Sequence, residues 1–235
     1  MAWSSATYSG NCWGYNFDWQ ARRLFLFPEG TPTVVVTSFC ASALFDAYEV
    51  TGSEEYLSVA LSSAGFVLND LQRTPKEKGF LFSYSSLNGN NTVYNASLLG
   101  TKLLSRCYHY TKNDSHLAAA RESAVACTSA QNDDGSWFYG ELPVQQWIDS
   151  FHTGYNLEAL VTYQEMTGDN SFSESIEKGF DFYLENFFLP DGTPKYYHNK
   201  TYPVDIHSPA QLLVALCRAG KLDQHRELAD RVLNW

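Results

Sequence analysis

A glycine–aromatic segment recurs along this chain at a nearly constant interval, and the recurrence limits the folds that the chain can adopt. The three clearest copies begin at Gly79, Gly135 and Gly192, which are 56 and 57 residues apart. A threonine near the end of an apolar run keeps a similar interval, at Thr51, Thr111 and Thr167. Self-similarity at a period of this length is typical of repeat architectures, in which one supersecondary unit is stacked several times.

Each repeat unit contains two runs with helical periodicity. In the first unit, residues 35–50 are apolar nearly all round, which predicts a helix buried on both sides. A polar turn follows, and residues 54–72 carry apolar side chains at helical spacing until Pro75 blocks continuation. Few segments alternate with a period of two, so any strands are expected to be short. One unit is therefore predicted to be a helical hairpin.

Three more hairpins are predicted, and a glycine–aromatic segment at 10–19 precedes the first one. Their paired helices are expected at 95–110 and 113–131, at 150–167 and from there to about 187, and at 208–219 and 222–234. Ser171 and Glu174 have the spacing of a capping box before the second helix of the third hairpin. Stacked helical pairs of this kind form either a solenoid or a closed ring.

The segment Gln-x-x-Asp-Gly-Ser-Trp at 131–137 resembles the Gln-Trp repeat motif of squalene cyclases and prenyltransferase β subunits. More broadly, the helical pairs resemble the α/α toroids that include six-hairpin glycosidases, polysaccharide lyases and glucuronyl epimerases. Residues 147–211 resemble uncharacterised toroid proteins associated with bacterial exopolysaccharide synthesis. The resemblance is informative about fold and much less so about reaction, because one fold hosts many activities.

This resemblance implies an all-α fold, an α/α toroid in the form of an incomplete ring of about four helical hairpins. A single domain over residues 1–235 is expected. Complete rings in these families have six or seven hairpins, so we expect the chain to be a fragment of a longer ring or an open arc. Trp137 is expected to be mainly structural, since the Gln-Trp motif fills the gap between helices.

The net charge restricts the possible binding partners, and the cysteine content indicates a cellular compartment. The net charge is −10, which argues against nucleic acid because a phosphate backbone requires a basic surface. An anionic polysaccharide would require a local positive spot, for which Lys195 and the histidines are candidates. The five cysteines include no Cys-x-x-Cys pair, so reduced, buried thiols in a cytoplasmic protein are expected.

No signal peptide and no membrane span are predicted in this sequence. The N-terminus lacks the pattern of a signal peptide, and the apolar stretch 31–48 is interrupted by Asp46. That stretch is therefore predicted to be a core helix and not a membrane span. The predicted partner is a polysaccharide or oligosaccharide, no cofactor is predicted, and the oligomeric state is left open.

The toroid resemblance implies that residues preceding the first helix of each hairpin line one mouth of a central funnel. Aromatic residues there could stack on sugar faces or simply fill gaps between helices. Together with Arg22, the candidate substrate-binding residues are Trp13, Tyr15, Asp18, Trp19, Asn95, Glu141, Trp147, Tyr155, Lys195, Tyr197 and His198.

Two Asp/His pairs are the strongest candidates for catalysis. Asp149 and His152 are three residues apart at the start of a helix, so they should share one face. Asp205 and His207 recur one unit later at a similar place. A carboxylate beside an imidazole makes a general base, which suits proton abstraction next to a uronate carboxylate. A tyrosine such as Tyr94 could act as the acid, and Asn95 or Lys195 could neutralise the carboxylate.

Several alternatives stay open. Asp149 could cap its helix while His152 is structural, and capping is compatible with catalysis. A metal could bind His152, His207 and carboxylates, although the spacing of these residues matches no short metal motif. Glycoside hydrolysis requires two opposed carboxylates, for which the candidates are Asp18, Glu141, Asp149 and Asp205.

Three functions follow from these candidates. The first is a carbohydrate-active lyase, epimerase or hydrolase in polysaccharide metabolism. The second is a non-catalytic carbohydrate-binding or assembly component of exopolysaccharide synthesis. The third is an isoprenoid-handling toroid, which is disfavoured because the Asp-x-Asp-Asp motif of the cyclases is absent and the mouth is polar.

Overall fold

The computed structural model describes residues 7–21 and 24–235 and divides into two compact units, Met1–Cys127 and Thr128–Trp235. The described part of the chain contains eight α-helices and four three-residue strands. The strands form two separate antiparallel hairpins, so the expectation of short strands is confirmed. Each unit is described in turn below.

The first unit alternates β-hairpins with helical hairpins. Its strands are β1 (Trp19–Ala21), β2 (Phe25–Phe27), β3 (Arg73–Pro75) and β4 (Phe80–Phe82). Its helices are α1 (Val34–Thr51), α2 (Glu54–Gly65), α3 (Tyr94–Thr111) and α4 (Asp114–Ser129), whose last two residues belong to the second unit. α1 packs against both α2 and α3, and β1 pairs with β2 so that Trp19 lies opposite Phe27.

The second unit consists of two helical hairpins and the loops that precede them. Its helices are α5 (Ser150–Thr167), α6 (Ser173–Asn186), α7 (His207–Arg218) and α8 (Arg226–Leu233). α5 packs against α6 and more extensively against α7. Gly154 permits the close approach of α7, because a Cβ at this position would lie 2.4 Å from the side chain of Gln211.

The recurring glycines have one structural cause. A Cβ on Gly10, Gly79, Gly135 or Gly192 would lie 1.9, 2.0, 2.2 or 2.6 Å from a backbone oxygen of α2, α4, α6 or α8, respectively. Each glycine therefore rests on the second helix of the hairpin that follows it, where only a residue without a side chain fits. This contact accounts for the period that is visible in the sequence.

The recurring threonines form a second repeated device, at the end of α1, α3 and α5. In each case the hydroxyl donates to the carbonyl four residues earlier, at 2.7–2.8 Å, and accepts from the amide two residues later, at 3.2–3.3 Å. The residue after the threonine is left-handed and is Gly52, Lys112 or Gly168. The threonine thus ends the first helix and fixes the turn to the second.

The glutamine–tryptophan segment ties the loop before α5 to α6. The Gln131 side-chain amide donates to the carbonyls of Gly135 (2.8 Å) and Ser175 (2.9 Å). Trp137 is 2% exposed, and a Cβ on Gly179 of α6 would lie 2.8 Å from its ring. These contacts agree with the structural interpretation of Trp137.

Predicted and observed helices agree closely, with three exceptions. The run predicted at 54–72 ends as an α-helix at Gly65 and continues as a π-helical turn, Phe66–Asp70, where Ser9 and Gly10 pack against it. The helix predicted from residue 222 begins at Arg226. The predicted capping box is wrong, because α6 begins after Phe172 and Glu174 pairs instead with Lys178, at 2.9 Å.

Helix α1 differs from the expectation that it is buried on both sides. Its buried residues occur at intervals of three and four, on one face: Val34, Thr37, Ser38, Ala41, Ser42 and Phe45. Within the described residues, α1 is also the one helix long and apolar enough to cross a membrane by length and composition alone. A core helix passes the same test, so the absence of a membrane span stays a prediction.

Candidate active site

The candidate site is built around the N-terminus of α5. Asp149 is the N-cap residue, with an extended backbone, and its Oδ1 accepts a hydrogen bond from the amide of His152 at 3.0 Å. This satisfies one of the amides that a helix start leaves without a partner. The predicted capping role of Asp149 is therefore confirmed, and it fixes the orientation of the carboxylate.

The second carboxylate oxygen of Asp149 faces the imidazole of His152. Oδ2 lies 2.8 Å from Nδ1 of His152 and also accepts from Nε1 of Trp147, at 2.9 Å. The Asp149 side chain is fully buried, whereas that of His152 is 22% exposed. Donation from Nδ1 defines a tautomer with a lone pair on Nε2, which is the arrangement of a general base.

A second Asp/His pair precedes α7. Oδ1 of Asp205 accepts from the amide of His207 at 2.8 Å and lies 2.6 Å from its Nδ1. Both side chains are more accessible than those of the first pair, with 34% of Asp205 and 63% of His207 exposed. An aspartate therefore contacts Nδ1 of a histidine twice, once through a buried carboxylate and once at a more accessible position.

Phe151 lies between the two pairs. Its ring centroid is 4.3 Å from that of His152 and 5.6 Å from that of His207. The two imidazoles therefore lie within about 10 Å of each other, comparable to the separation of paired groups that flank one glycosidic bond. Phe151 was not expected from the sequence, although its position directly before His152 could have suggested it. The structure brings the two Asp/His pairs together, and a catalytic role for them stays a prediction.

Aromatic rings surround His152 on other sides. Tyr139 stacks on Trp147 with ring centroids 4.4 Å apart and planes 13° apart, and it lies 4.8 Å from the His152 ring. Tyr155, one turn further along α5, lies 6.1 Å from the same ring and is half-buried. These aromatic side chains therefore restrict the orientation of the His152 ring.

A loop before α7 runs beside the N-terminus of α5. Tyr197 forms an antiparallel bridge with Asp149, and the amide of His198 donates to the carbonyl of Ile148 at 3.3 Å. The Lys195 ammonium donates to the carbonyls of Asn186 (2.6 Å) and His198. Partial burial lowers the pKa of Lys195. Its ammonium is used to fasten this loop, which weakens the prediction that it neutralises a substrate carboxylate.

The candidates from the first unit have contacts of their own. Trp19 stacks with Tyr15 (5.4 Å), Phe27 (5.7 Å) and Tyr84 (5.6 Å), within an aromatic cluster on β1 and β2. Burial raises the pKa of Tyr15. Asp18 is exposed and accepts from the amide of Glu29 at 2.7 Å, which fixes a loop.

The other candidates of this unit differ in exposure. Trp13 is half-buried, and its amide donates to Thr37 Oγ1 at 3.0 Å. Tyr94 is half-buried at the start of α3, and Asn95 is 3% exposed. The buried Oδ1 of Asn95 has no hydrogen-bond partner among the described residues. Arg22 lies outside the described residues.

Two further expectations concern metals and thiols. Within residues 7–21 and 24–235, no three His, Cys, Asp or Glu side chains are grouped so as to hold a metal ion. All five cysteines are unbridged, and burial raises the pKa of Cys12 to about 11 and that of Cys107 to about 12. Cys217 is exposed, so the expectation that the thiols are buried is wrong at this position. Glu141 is half-buried in the loop before α5.

Comparison with solved structures identifies the fold. The cellobiose 2-epimerase of Bacillus thermoamylovorans matches with a TM-score of 0.70 and 16% identity, over 97% of this chain and 65% of that one. An unsaturated glucuronyl hydrolase specific for heparin matches at 0.69 and 15%, over 86% and 60%. A family 76 α-mannanase of Bacteroides thetaiotaomicron matches at 0.66 and 13%, over 92% and 62%.

These similarities confirm the predicted α/α-toroid fold. No protein-family model matches the sequence, and no curated protein is similar to it in sequence. The chain spans roughly three fifths of the length of the structures it matches. At 13–16% identity the similarity establishes the fold alone. The expectations of a single domain and of a link to exopolysaccharide synthesis stay predictions.

Proposed function

We propose that this protein is a carbohydrate-active enzyme that transfers a proton at a carbon of an oligosaccharide, with His152 as the base. The observation that carries this proposal is the buried Asp149 carboxylate, which holds Nδ1 of His152 at 2.8 Å while the imidazole remains partly exposed. A carboxylate in this position orients an imidazole and fixes its tautomer, as a general base requires. The proposed substrate class is supported by a fold shared with an epimerase, a hydrolase and a mannanase of saccharides.

The environment of Asp149 favours proton transfer over hydrolysis. A glycosidase uses carboxyl groups that touch the glycosidic oxygen or the sugar carbon. Asp149 is buried and accepts three hydrogen bonds, from Trp147 Nε1, His152 Nδ1 and the His152 amide. The group of this pair that a sugar can reach is the imidazole of His152, which is suited to acid/base work on a C–H bond.

The charge around the site favours a neutral sugar over a uronic acid. The sequence has no arginine between Arg121 and Arg218, and its lysines there are Lys178, Lys195 and Lys200. Lys178 pairs with Glu174, Lys195 binds two carbonyls, and Lys200 lies over the ring of Tyr197, at 4.6 Å. A cationic side chain at the carboxylate would assist elimination from a uronate, so epimerisation is the better supported reaction.

For a neutral sugar, the acidic C–H bond is the one next to the carbonyl of the open-chain aldose. Nε2 of His152 removes this proton, and the electron pair moves into an enediolate. Return of a proton to the opposite face of the same carbon gives the epimer, so no atom or electron is consumed. His207 is the second imidazole near this position and supplies or relays the returning proton in this proposal.

A cytoplasmic location and a role in polysaccharide biosynthesis belong to the same proposal. The location is supported by five unbridged cysteines, since oxidising compartments favour disulfides. The role in biosynthesis is supported by the resemblance of residues 147–211 to toroid proteins of exopolysaccharide synthesis. Both are secondary to the proposed reaction, which can be tested without them.

The test is solvent deuterium incorporation into neutral reducing oligosaccharides, followed by NMR in D₂O. We expect exchange of the hydrogen next to the carbonyl and formation of the epimer. His152→Gln and Asp149→Asn should each lower the rate by at least about 100-fold, the scale of general acid–base catalysis. His225→Gln, in the turn before α8, is the matched control and should retain activity. Exchange that survives His152→Gln would refute the assignment of the base, and no exchange on a broad panel would refute the reaction.

A further inference from the structure

Trp147 is fixed at two parts of its indole ring. The edge donates from Nε1 to Oδ2 of Asp149, and one face stacks on Tyr139 at 4.4 Å. The backbone is also closed, because the Tyr139 amide donates to the Trp147 carbonyl at 2.8 Å and the Trp147 amide donates to Gln145 at 2.9 Å. The segment 139–147 is therefore a closed loop that presents one N–H group to the buried carboxylate.

The oxygen that receives this N–H group is the same oxygen that holds His152. Oδ2 of Asp149 accepts from Trp147 at 2.9 Å and from His152 at 2.8 Å, while Oδ1 is occupied by the helix-capping bond. A carboxylate bound at both oxygens cannot rotate without breaking a hydrogen bond. Loss of the indole N–H would leave a buried acceptor site without one of its donors, and the carboxylate would then be held only through its two bonds to His152 itself.

We infer that Trp147 is a positioning residue that fixes the Asp149 carboxylate and thereby keeps His152 in the Nδ1–H tautomer. The sequence suggested a different role, a platform on which a sugar stacks. The stacked face is already covered by Tyr139, and the indole edge is committed to Asp149. The consequence for reaction rate rests on the proposed function, whereas the consequence for the imidazole does not.

The primary experiment measures the tautomer of His152 by long-range ¹H–¹⁵N NMR, without substrate, at a pH at which the ring is neutral. Wild-type protein should show protonated Nδ1 and unprotonated Nε2, and His152→Gln assigns the signals. Trp147→Phe keeps an aromatic ring against Tyr139 and removes the donor together with part of the indole. We expect a mixture of tautomers in this variant, as in Asp149→Asn, which is the positive control. Trp137→Phe, against Gly179 in the same unit, should leave the signals unchanged.

A second measurement includes a wild-type result that does not depend on how well any variant folds. In the wild-type protein, the Trp147 indole proton should be protected from solvent exchange, and Asp149→Asn should remove that protection. An indole proton that exchanges freely in the wild-type protein overturns the inference. A pure Nδ1–H tautomer in correctly folded Trp147→Phe overturns it equally.

Kinetics separate this inference from the proposed function. A positioning role predicts that Trp147→Phe lowers kcat by about 10- to 100-fold with KM unchanged within about twofold. A sugar platform predicts a higher KM with kcat preserved and an unchanged tautomer, and that result would reject the inference. If wild-type protein processes no sugar, the proposed function fails, while the tautomer and exchange measurements still decide the role of Trp147.

Discussion

Burial affects the protonation of His116, a histidine that has no part in the proposed chemistry. This residue of α4 is 8% exposed, and its Nδ1 lies 3.2 Å from Oγ1 of Thr111. Burial lowers the pKa of His116 from its ordinary value of 6.5, because the charged ring is poorly solvated there. The unfolded chain therefore binds more protons than the folded protein as the pH falls below this ordinary value, so folding stability is lost in that range.

This linkage predicts that His116→Gln makes stability less dependent on pH. Between pH 7.5 and pH 5 the wild-type protein should lose more free energy of unfolding than the variant does, as measured by urea denaturation at each pH. His109→Gln, at an exposed position of α3, is the control and should retain the wild-type slope. An unchanged slope in His116→Gln would show that another group causes the loss.

Site residues could be predicted from the sequence where their contacts follow from local helix geometry. Asp149 and His152 follow from helix periodicity, since residues three apart at a helix start share one face. The contact of Trp147 with Asp149 depends on closure of the loop 139–147, which no spacing rule encodes. The hydrogen bonds by which Lys195 holds its loop could not be predicted either, because their acceptors are backbone carbonyls.

Individual elements are held in place by glycines of two kinds. Gly135 and Gly168 both have positive φ, at 88° and 76°. A Cβ on Gly135 would lie 2.2 Å from the carbonyl oxygen of Lys178, whereas a Cβ on Gly168 would have no atom within 4 Å. The first glycine is required by close packing and by conformation, and the second by conformation alone.

Alanine substitutions at Gly135 and Gly168 should lower stability by different amounts. Both carry the cost of a positive φ, and only Gly135 adds a packing clash. Gly168→Ala should lower the free energy of unfolding by about 1 kcal/mol, the cost of a left-handed alanine. Gly135→Ala should cost about 3 kcal/mol or more, because α6 must move away from the new methyl group. Chemical denaturation of both variants measures the difference. Equal losses would contradict the assigned role of the repeat glycines.

Helix positions were predictable from sequence where a boundary has a local cause. α1, α3 and α5 end at threonines followed by a left-handed residue, which is a signal carried by neighbouring residues. The end of α2 was not predictable, because the widened turn Phe66–Asp70 lies where Ser9 and Gly10 pack. The one-sided burial of α1 likewise depends on tertiary packing and not on composition.

For the molecule as a whole, the repeat indicated stacked helical hairpins, and the net charge constrains the binding partner. The glycine–helix contact imposes a period on the sequence, which indicates stacked helical hairpins, and the resemblance of residues 131–137 to the Gln-Trp motif then implied an α/α toroid. The reaction was less accessible, since related folds support epimerases, hydrolases and mannanases. Net charge is independent of these details, and at −10 it opposes any polyanionic substrate.

This charge predicts a salt dependence that separates neutral from uronic-acid oligosaccharides. Repulsion between like charges is screened by salt, with a Debye length of about 10 Å at 0.1 M. Binding of a uronic-acid oligosaccharide should therefore be weak at about 20 mM NaCl and should strengthen toward about 300 mM. A neutral oligosaccharide of equal length should bind with little change over the same range, because it has no charge to screen. Isothermal titration calorimetry with both ligands makes the comparison. Tighter uronate binding at low salt would reveal a local cationic site strong enough to outweigh the net charge, and it would return elimination chemistry to first place.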